Sequence, residues 1–424
     1  MSQPVVAAGY LELIRENGAF RKLWLGNVVS LFGDWFNTIA LYALILSLTG
    51  SEFALGAVFI SKMLPAALAS PLAGVLVDRF DRRKAMIVSD VLRAVIVLGF
   101  LVVDQPSEVF LIYLLTAAQV VVGSVFRPAQ NASIPNVTAK KDLVTANTIM
   151  AATWSIMLAM GAALGGFAAE IFGLKAVFIL DSLSYLLSAW FIYRTTIPST
   201  IDQAPKPSLF RSAHREISEG WKYIRAHPAI GRVATVKAFW ATAGGGLVYM
   251  LALVGDQVDP LHQAASIGVL FAARGIGTAI GPIVARKYFT NEQSWILVIG
   301  CSIVLTGVGY MAVGLVSWTW LVVIPVMLAH IAGGSSWVLS TVLLQKRSED
   351  RFRGRVFANE WLFVMGMETA SILVASLVLE MGLLSLRNTV LGFGLLAVTI
   401  GVFWLVRAVP AEKNDYLLGN VPES

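Results

Sequence analysis

Twelve apolar runs, closed by charge, proline or glycine clusters, divide this chain. They lie near 23–48, 53–77, 85–103, 109–133, 143–169, 174–193, 229–254, 263–285, 293–316, 318–343, 355–380 and 385–406. About 20 residues of helix cross a hydrocarbon core of about 30 Å. A backbone in hydrocarbon must satisfy its own hydrogen bonds, so each run reads as a helix. Composition agrees: 57% of residues are hydrophobic and 14% charged, against about 45–50% and about 25% in soluble domains. The lone Cys301 excludes a disulfide framework, a CxxC redox pair and a thiolate metal site. The first run is too long for a cleavable signal peptide and lacks a small-residue cleavage site. The expected fold class is all-α integral membrane, with twelve transmembrane helices.

Loop charge orients the spans. With the N-terminus and every second loop on one side, that side holds 25 of the 32 basic residues and the opposite loops hold two, Lys175 and Arg387. The positive-inside rule makes the rich side cytoplasmic, so both termini are expected there. The net charge of +6 is thereby explained by topology, and no nucleic-acid partner is implied.

The longest internal polar stretch, 195–228, follows the sixth span and opens with Pro198, Pro205 and Pro207, a linker composition. From Ser208 it reads as an amphipathic helix, with Phe210, Ile217, Trp221 and Ile224 on one face and Arg211, Arg215, Lys222 and Arg225 as its basic residues. Such a helix is expected on the cytoplasmic leaflet, drawn to anionic headgroups, rather than on a calmodulin-like partner. The chain thus divides into a six-helix bundle (1–194), the linker (195–228), a second six-helix bundle (229–407) and a cytoplasmic tail (408–424). A faint repeat supports duplication: Gly56, Phe59 and Lys62 match Gly268, Phe271 and Arg274 at an offset of 212. Gly74 and Arg79 match Gly281 and Arg286 at an offset of 207, which cannot hold in the same ungapped alignment.

Between the second and third spans stands Gly74-Val-Leu-Val-Asp78-Arg79-Phe80-Asp81-Arg82-Arg83-Lys84. This resembles the hallmark loop of the major facilitator superfamily, Gly-x-x-x-Asp-Arg/Lys-x-Gly-Arg-Arg/Lys, with Asp81 where that family usually has Gly. The resemblance implies two pseudo-symmetric six-helix bundles, and a latch in which Asp78 meets the start of span 11 near Gly354–Phe357, a carboxylate on exposed helix N–H groups. Gly161, Gly165 and Gly166 in span 5 look like the family's antiporter signature, with Ala162 in place of its Pro. Gln119 precedes Gly123 where proton-coupled drug exporters carry an Arg, a departure from the usual proton relay. Over nearly its full length the chain resembles the macrolide-efflux and enterobactin-exporter subgroup, through Leu31-Phe32-Gly33-Asp34-Trp35, Phe126-Arg127-Pro128-Ala129, Ile134-Pro135, Ala146-Asn147 and Asp181-Ser182-Leu183-Ser184.

Ionisable residues inside spans are costly and mark function by default. Asp34 and Lys62 fall at similar depth and could pair; Arg274, His330 and Glu368 fall near the middle of spans 8, 10 and 11. By the resemblance, spans 1, 4, 7 and 10 line the central cavity, which makes Asp34 and His330 the best cavity candidates and puts Glu368, Lys62 and Arg274 nearer the interface between halves. Asp34 or Glu368 could carry a proton, or form structural pairs with Lys62 or Arg274, and His330 reads as a satisfied histidine ahead of a proton carrier. Asp90, Arg93 and Arg127 look like a cytoplasmic gating network with Asp78, and Lys237 like a snorkelling lysine. No phosphate-binding loop or metal-binding constellation appears, so no cofactor is implied and ATP-driven transport is not expected. The resulting expectation is a monomeric secondary transporter of a bacterial inner membrane, with protons, membrane lipids and a small molecule as partners. It would export an amphipathic drug or siderophore. Alternatives are a lipid or lysophospholipid translocator, a passive facilitator, and a receptor or assembly factor that transports nothing.

Overall fold

The computed structural model describes residues 8–77, 79–198 and 209–417. Twelve helices are long and apolar enough to cross a membrane: α1 (Gly18–Thr49), α2 (Glu52–Val77), α3 (Arg82–Val102), α4 (Pro106–Val137), α5 (Lys140–Phe172), α6 (Leu174–Tyr193), α7 (Pro228–Val258), α8 (Pro260–Tyr288), α9 (Glu292–Leu315), α10 (Trp320–Arg347), α11 (Arg351–Glu380) and α12 (Leu386–Leu417). Among the described residues there is no strand. Apart from the linker between α6 and α7, the turns between them are short. Gly50 ends α1 with φ +59° and Gly173 ends α5 with φ +82°, left-handed conformations that glycine adopts at little cost. Large apolar side chains such as Phe110, Leu114, Leu321 and Val406 are exposed on the outside, as a lipid-facing belt requires.

The helices form two six-helix bundles, α1–α6 and α7–α12. The near end of the molecule is where α1 begins and α12 ends; the far end carries the α1–α2 and α7–α8 turns. At the far end one apolar core takes in both bundles, from Ile39–Ile45 and Leu55–Phe59 to Leu247–Val254, Ile267–Phe271 and Ile372–Leu379. At the near end each bundle keeps its own core: Phe20, Met86, Phe126 and Ile192 in the first, Val233, Ile299, Leu343 and Trp404 in the second. The bundles are therefore sealed together at the far end and, beyond a small shared core of Ala67 with Ala241, Val364 and Met365, part toward the near end.

Small residues make the seal. A Cβ on Gly268 of α8 would strike the Ala162 carbonyl oxygen and come within 3.2 Å of the Gly166 Cα of α5; one on Gly275 would lie 2.6 Å from the Ala159 nitrogen. In the other pairing, a Cβ on Gly56 of α2 would lie 2.6 Å from the Ser376 Cβ of α11. Gly56 and Gly268, matched by the repeat, thus hold equivalent places.

Two sequence expectations change here. The linker helix, Leu209–Ala226, lies against protein rather than only on a membrane surface. Tyr223 and Ile224 are buried in the second bundle's core, and Trp221 meets Phe363 edge-on at 5.2 Å. Asn359 donates to the Ile217 carbonyl at 3.1 Å, and Arg355 pairs with Glu219 at 3.0 Å. The side chains of Phe210 and Arg211 lie outside those described. Second, α12 runs past Arg407 to Leu417, because buried Glu412 ties it to Arg347 and Arg232, and Asp415 to Arg232.

Candidate functional site

Between the bundles, roofed by the far-end seal, lies a cavity of about 530 Å³. Every ionisable residue expected at the middle of the second bundle reaches it, and so does Lys62 of the first. Lys62 is about 15 Å along α2 from Glu52, and Arg274 about 17 Å along α8 from Gln263, near mid-membrane. The repeat therefore supplies one cation from each bundle to one cavity. Lys62 donates to the Thr38 hydroxyl at 2.6 Å. It also lies 5.5 Å from the Tyr42 ring centroid. Arg274 lies 5.8 Å from the Phe271 centroid, and the Tyr42 and Phe271 rings are 5.7 Å apart. The two cations flank an aromatic pair.

Glu368 faces the same cavity, with no hydrogen bond or ion pair among the described residues. The Glu368–Arg274 pair does not form as a contact. His330 is 4% exposed and shares a hydrogen bond of 2.9 Å with the Tyr310 hydroxyl, the satisfied histidine expected of it.

Asp34 does not pair directly with Lys62. It accepts from the Tyr185 hydroxyl and stands 3.9 Å from Arg93. Arg93 is bonded to Asp90, and its guanidinium lies 4.2 Å from the Tyr185 ring centroid. Arg93 sits about 17 Å into α3 from Arg82, the same depth along its helix as Arg274 from Gln263. Asp90 and Arg93 thus join Asp34 in one cluster, while Arg127 lines the cavity. Gln119, which stands where drug exporters carry an Arg, donates to the Tyr185 hydroxyl at 2.9 Å and accepts from Asn37 at 3.2 Å. Arg93 of α3 supplies a cation to this region from a different helix.

Asp78 lies outside the described residues. Around it, Arg82 donates to the Ala132 carbonyl at 2.8 Å, and Arg83 to the Ile192 and Tyr193 carbonyls that end α6, where a helix C-terminus favours a cation. Asp81, where the family usually has Gly, caps α3 by accepting from the Lys84 N–H at 2.9 Å. Among the described residues, a Cβ on Gly74 or on Gly354 would meet nothing within 4 Å. Of the span-5 glycines, Gly161 and Gly165 pack on Trp35 and Phe36 within the first bundle, and only Gly166 touches the second.

Three groups escaped the sequence reading. Lys237 does not snorkel: it is 5% exposed and pairs with Glu360, 4% exposed, at 2.9 Å. Asp181 is fully buried, accepting from Ser184 at 3.3 Å; its signal was a lone acid in the run 174–193. At the far end, Glu170 of α5 accepts from the Ala264 N–H of α8 at 2.9 Å, while Glu380 of α11 accepts from the Phe53 N–H of α2 at 3.0 Å and the Ser51 hydroxyl at 2.8 Å. Each carboxylate caps a helix N-terminus of the other bundle, where free N–H groups and the helix dipole favour negative charge.

Breaking one side of the Lys237–Glu360 pair leaves a buried charge uncompensated, at a cost of about 3–5 kcal/mol. Lys237→Met is accordingly expected to lower the unfolding temperature strongly, and Lys237→Met with Glu360→Leu to recover most of the loss. Scanning fluorimetry in detergent checks this, and equal melting of the single and double variants would show that the pair is not compensated as drawn.

Two bundles meeting across a central cavity, sealed at one end by small residues and caps, define a membrane transporter rather than an enzyme. A family model for the Major Facilitator Superfamily matches residues 23–358. The chain belongs to the Major Facilitator Superfamily, and is a multi-pass inner-membrane protein.

It is similar to the uncharacterised MFS-type transporter YfiS of Bacillus subtilis (strain 168), 24% identical over 423 residues, 96% of this chain and 97% of the relative. It is also similar to macrolide efflux protein A of Streptococcus pyogenes, 26% identical over 349 residues, 80% of this chain and 84% of the relative. The enterobactin exporter EntS of Salmonella choleraesuis (strain SC-B67) is 25% identical over 371 residues, 82% of each chain. Among solved structures, a bacterial homologue of the human lysosomal transporter Spinster, inward-facing and unoccupied, superposes with a TM-score of 0.71 at 16% identity, covering 96% of this chain and 98% of that one.

Proposed function

We propose that this chain is a proton-coupled exporter of amphipathic small molecules, working by alternating access, with both termini in the cytoplasm. The observation that carries the reading is Glu368, an unpartnered carboxylate facing a mid-membrane cavity built by both bundles. An ionisable side chain kept there without a partner has no structural task, whereas a proton carrier needs that exposure. Asp34, held by Tyr185 and Arg93, is the weaker carrier. The charge of 25 basic residues against two supports the orientation, and makes the near end cytoplasmic and the cavity inward-open. The relatives whose names include macrolide efflux and enterobactin export support the direction.

The far-end caps are the outer gate in this reading, and Asp78 remains the proposed latch of the inner one. Replacing both caps, Glu170→Gln with Glu380→Gln, removes two charge-to-helix contacts worth about 0.3–1 kcal/mol each. A cysteine placed at Met63, with Cys301→Ser, is expected to react about 3- to 30-fold faster with an impermeant thiol reagent from the far side. An unchanged rate would show that the caps do not hold the gate.

The test of function is uptake of a labelled amphiphile panel into proteoliposomes with an acid lumen. Expected is accumulation that collapses with a protonophore. Accumulation indifferent to the gradient overturns coupling, and no accumulation across a drug and siderophore panel overturns export.

A further inference from the structure

We infer that the cavity selects amphipathic organic anions: molecules with an aromatic or otherwise apolar body and one or two acidic groups such as carboxylates or phenolates. This names a substrate class for the export reading above and rests on the same cavity.

The charges lining the cavity do not balance. Lys62, Arg127, Lys237 and Arg274 contribute positive charge, and among the described lining residues Glu368 is the one acid. Lys237 is neutralised by Glu360. Lys62 has a hydroxyl, not a carboxylate, as its hydrogen-bond partner. The Arg274 side chain makes no hydrogen bond or ion pair among the described residues, and its Nε is buried without an acceptor. A guanidinium taken out of water without a partner is unfavourable, and its planar fork matches a carboxylate. Arg274 is thus a donor set without its acceptor, in a cavity large enough to bring one.

Geometry shapes the guest. Lys62 and Arg274 stand on either side of the Tyr42–Phe271 ring pair, so an acidic head lying over these rings would reach a cation from each bundle. The apolar body would then extend toward the near end, where Trp154, Trp337 and Trp361 line the wall. A cationic amphiphile in the same pose meets Lys62, Arg127 and Arg274 against one lining carboxylate, Glu368. Like charges placed together at low dielectric disfavour binding. Contact with both bundles also gives the guest a means to bias their relative position, since a ligand shifts an equilibrium only through contacts that differ between states.

Calorimetric titration of the full chain in nanodiscs tests this, using 2-naphthoate, its neutral amide and the cationic 2-naphthylmethylamine. Naphthoate is expected to bind at least about tenfold more tightly than the amine, as one charge-assisted hydrogen bond implies. Arg274→Gln and Lys62→Gln should each weaken naphthoate about tenfold while changing the amide less than about threefold; Arg274→Lys, which keeps the charge and loses the fork, should fall between Arg274→Gln and the unaltered protein. Amine binding equal to or tighter than naphthoate in the unaltered protein, a comparison that needs no variant, overturns the inference. So does naphthoate affinity that ignores both substitutions. Parallel titration with lysophosphatidylglycerol and lysophosphatidylcholine tells a lipid anion from a soluble one: stronger binding of the anionic lipid supports the charge rule, and equal or weaker binding counts against a lipid source. The titration reads binding alone. Anion binding without gradient-driven uptake would leave this assignment standing and remove the export reading; uptake with amine preference would do the reverse.

Discussion

Glu368→Gln is expected to abolish substrate-driven proton movement while leaving downhill exchange of substrate in place. The glutamine keeps the volume and the hydrogen-bonding capacity of the side chain and removes only its ability to titrate. Because Glu368 faces the cavity without a hydrogen bond or ion pair among the described residues, the substitution breaks no direct contact. A loss of stability is therefore not expected to confuse the result, in contrast to the Lys237–Glu360 pair. Proton flux measured with a pH-sensitive dye in proteoliposomes should fall at least about 100-fold, the scale of removing a group that transfers the proton itself. Asp34→Asn is expected to do less to coupling and more to folding, since Tyr185 and Arg93 both use that carboxylate. Full proton flux in Glu368→Gln would move the carrier elsewhere.

Gly268→Leu is expected to hold the far end apart and stop transport. Its Cβ would collide with the Ala162 carbonyl oxygen and crowd the Gly166 Cα, which are backbone atoms of a helix that cannot step aside. Overpacking of this kind costs about 1–3 kcal/mol, and a bias of that size moves a two-state equilibrium roughly 5–150-fold. The wedge acts only on the sealed state, so the open state gains. Spin labels at Phe53 and Leu261, 39% and 87% exposed, with Cys301→Ser, should report a longer far-end distance in the variant. An unchanged distance distribution would mean that α5 and α8 do not form the moving seam. Gly392→Leu on α12 is the control, because a Cβ there meets nothing within 4 Å.

The membrane class, the span number and the repeat were legible because they depend on local composition and spacing. An apolar run of sufficient length can only be a helix in hydrocarbon. Lys62 and Arg274 were picked out as buried cations, and their shared offset placed them at equivalent positions. Their pairing was not legible. Asp34 and Lys62 lie at similar depth, yet depth fixes one coordinate of three. The turn of α1 gives Asp34 to Tyr185 and Arg93, and leaves Lys62 to Thr38. Likewise nothing local showed that Arg93, read as a gate residue because it follows the basic loop, would join Asp34 and Asp90. Glu170 and Glu380 looked like ordinary acids at span ends; only the facing helix starts of the other bundle make them caps.

The amino-acid sequence by itself determined that twelve helices would form, how they are spaced, where the two halves divide, and which few charges must lie within the membrane. These follow from hydrogen-bond satisfaction in lipid and from the cost of burying charge, both readable one segment at a time. The tertiary structure alone decided which buried charges are neutralised and which are left facing the cavity. That depends on the azimuth of each helix and on contacts between residues more than 100 positions apart, such as Glu380 with Ser51 or Lys237 with Glu360. No local pattern encodes an azimuth set by packing against helices from the other half of the chain.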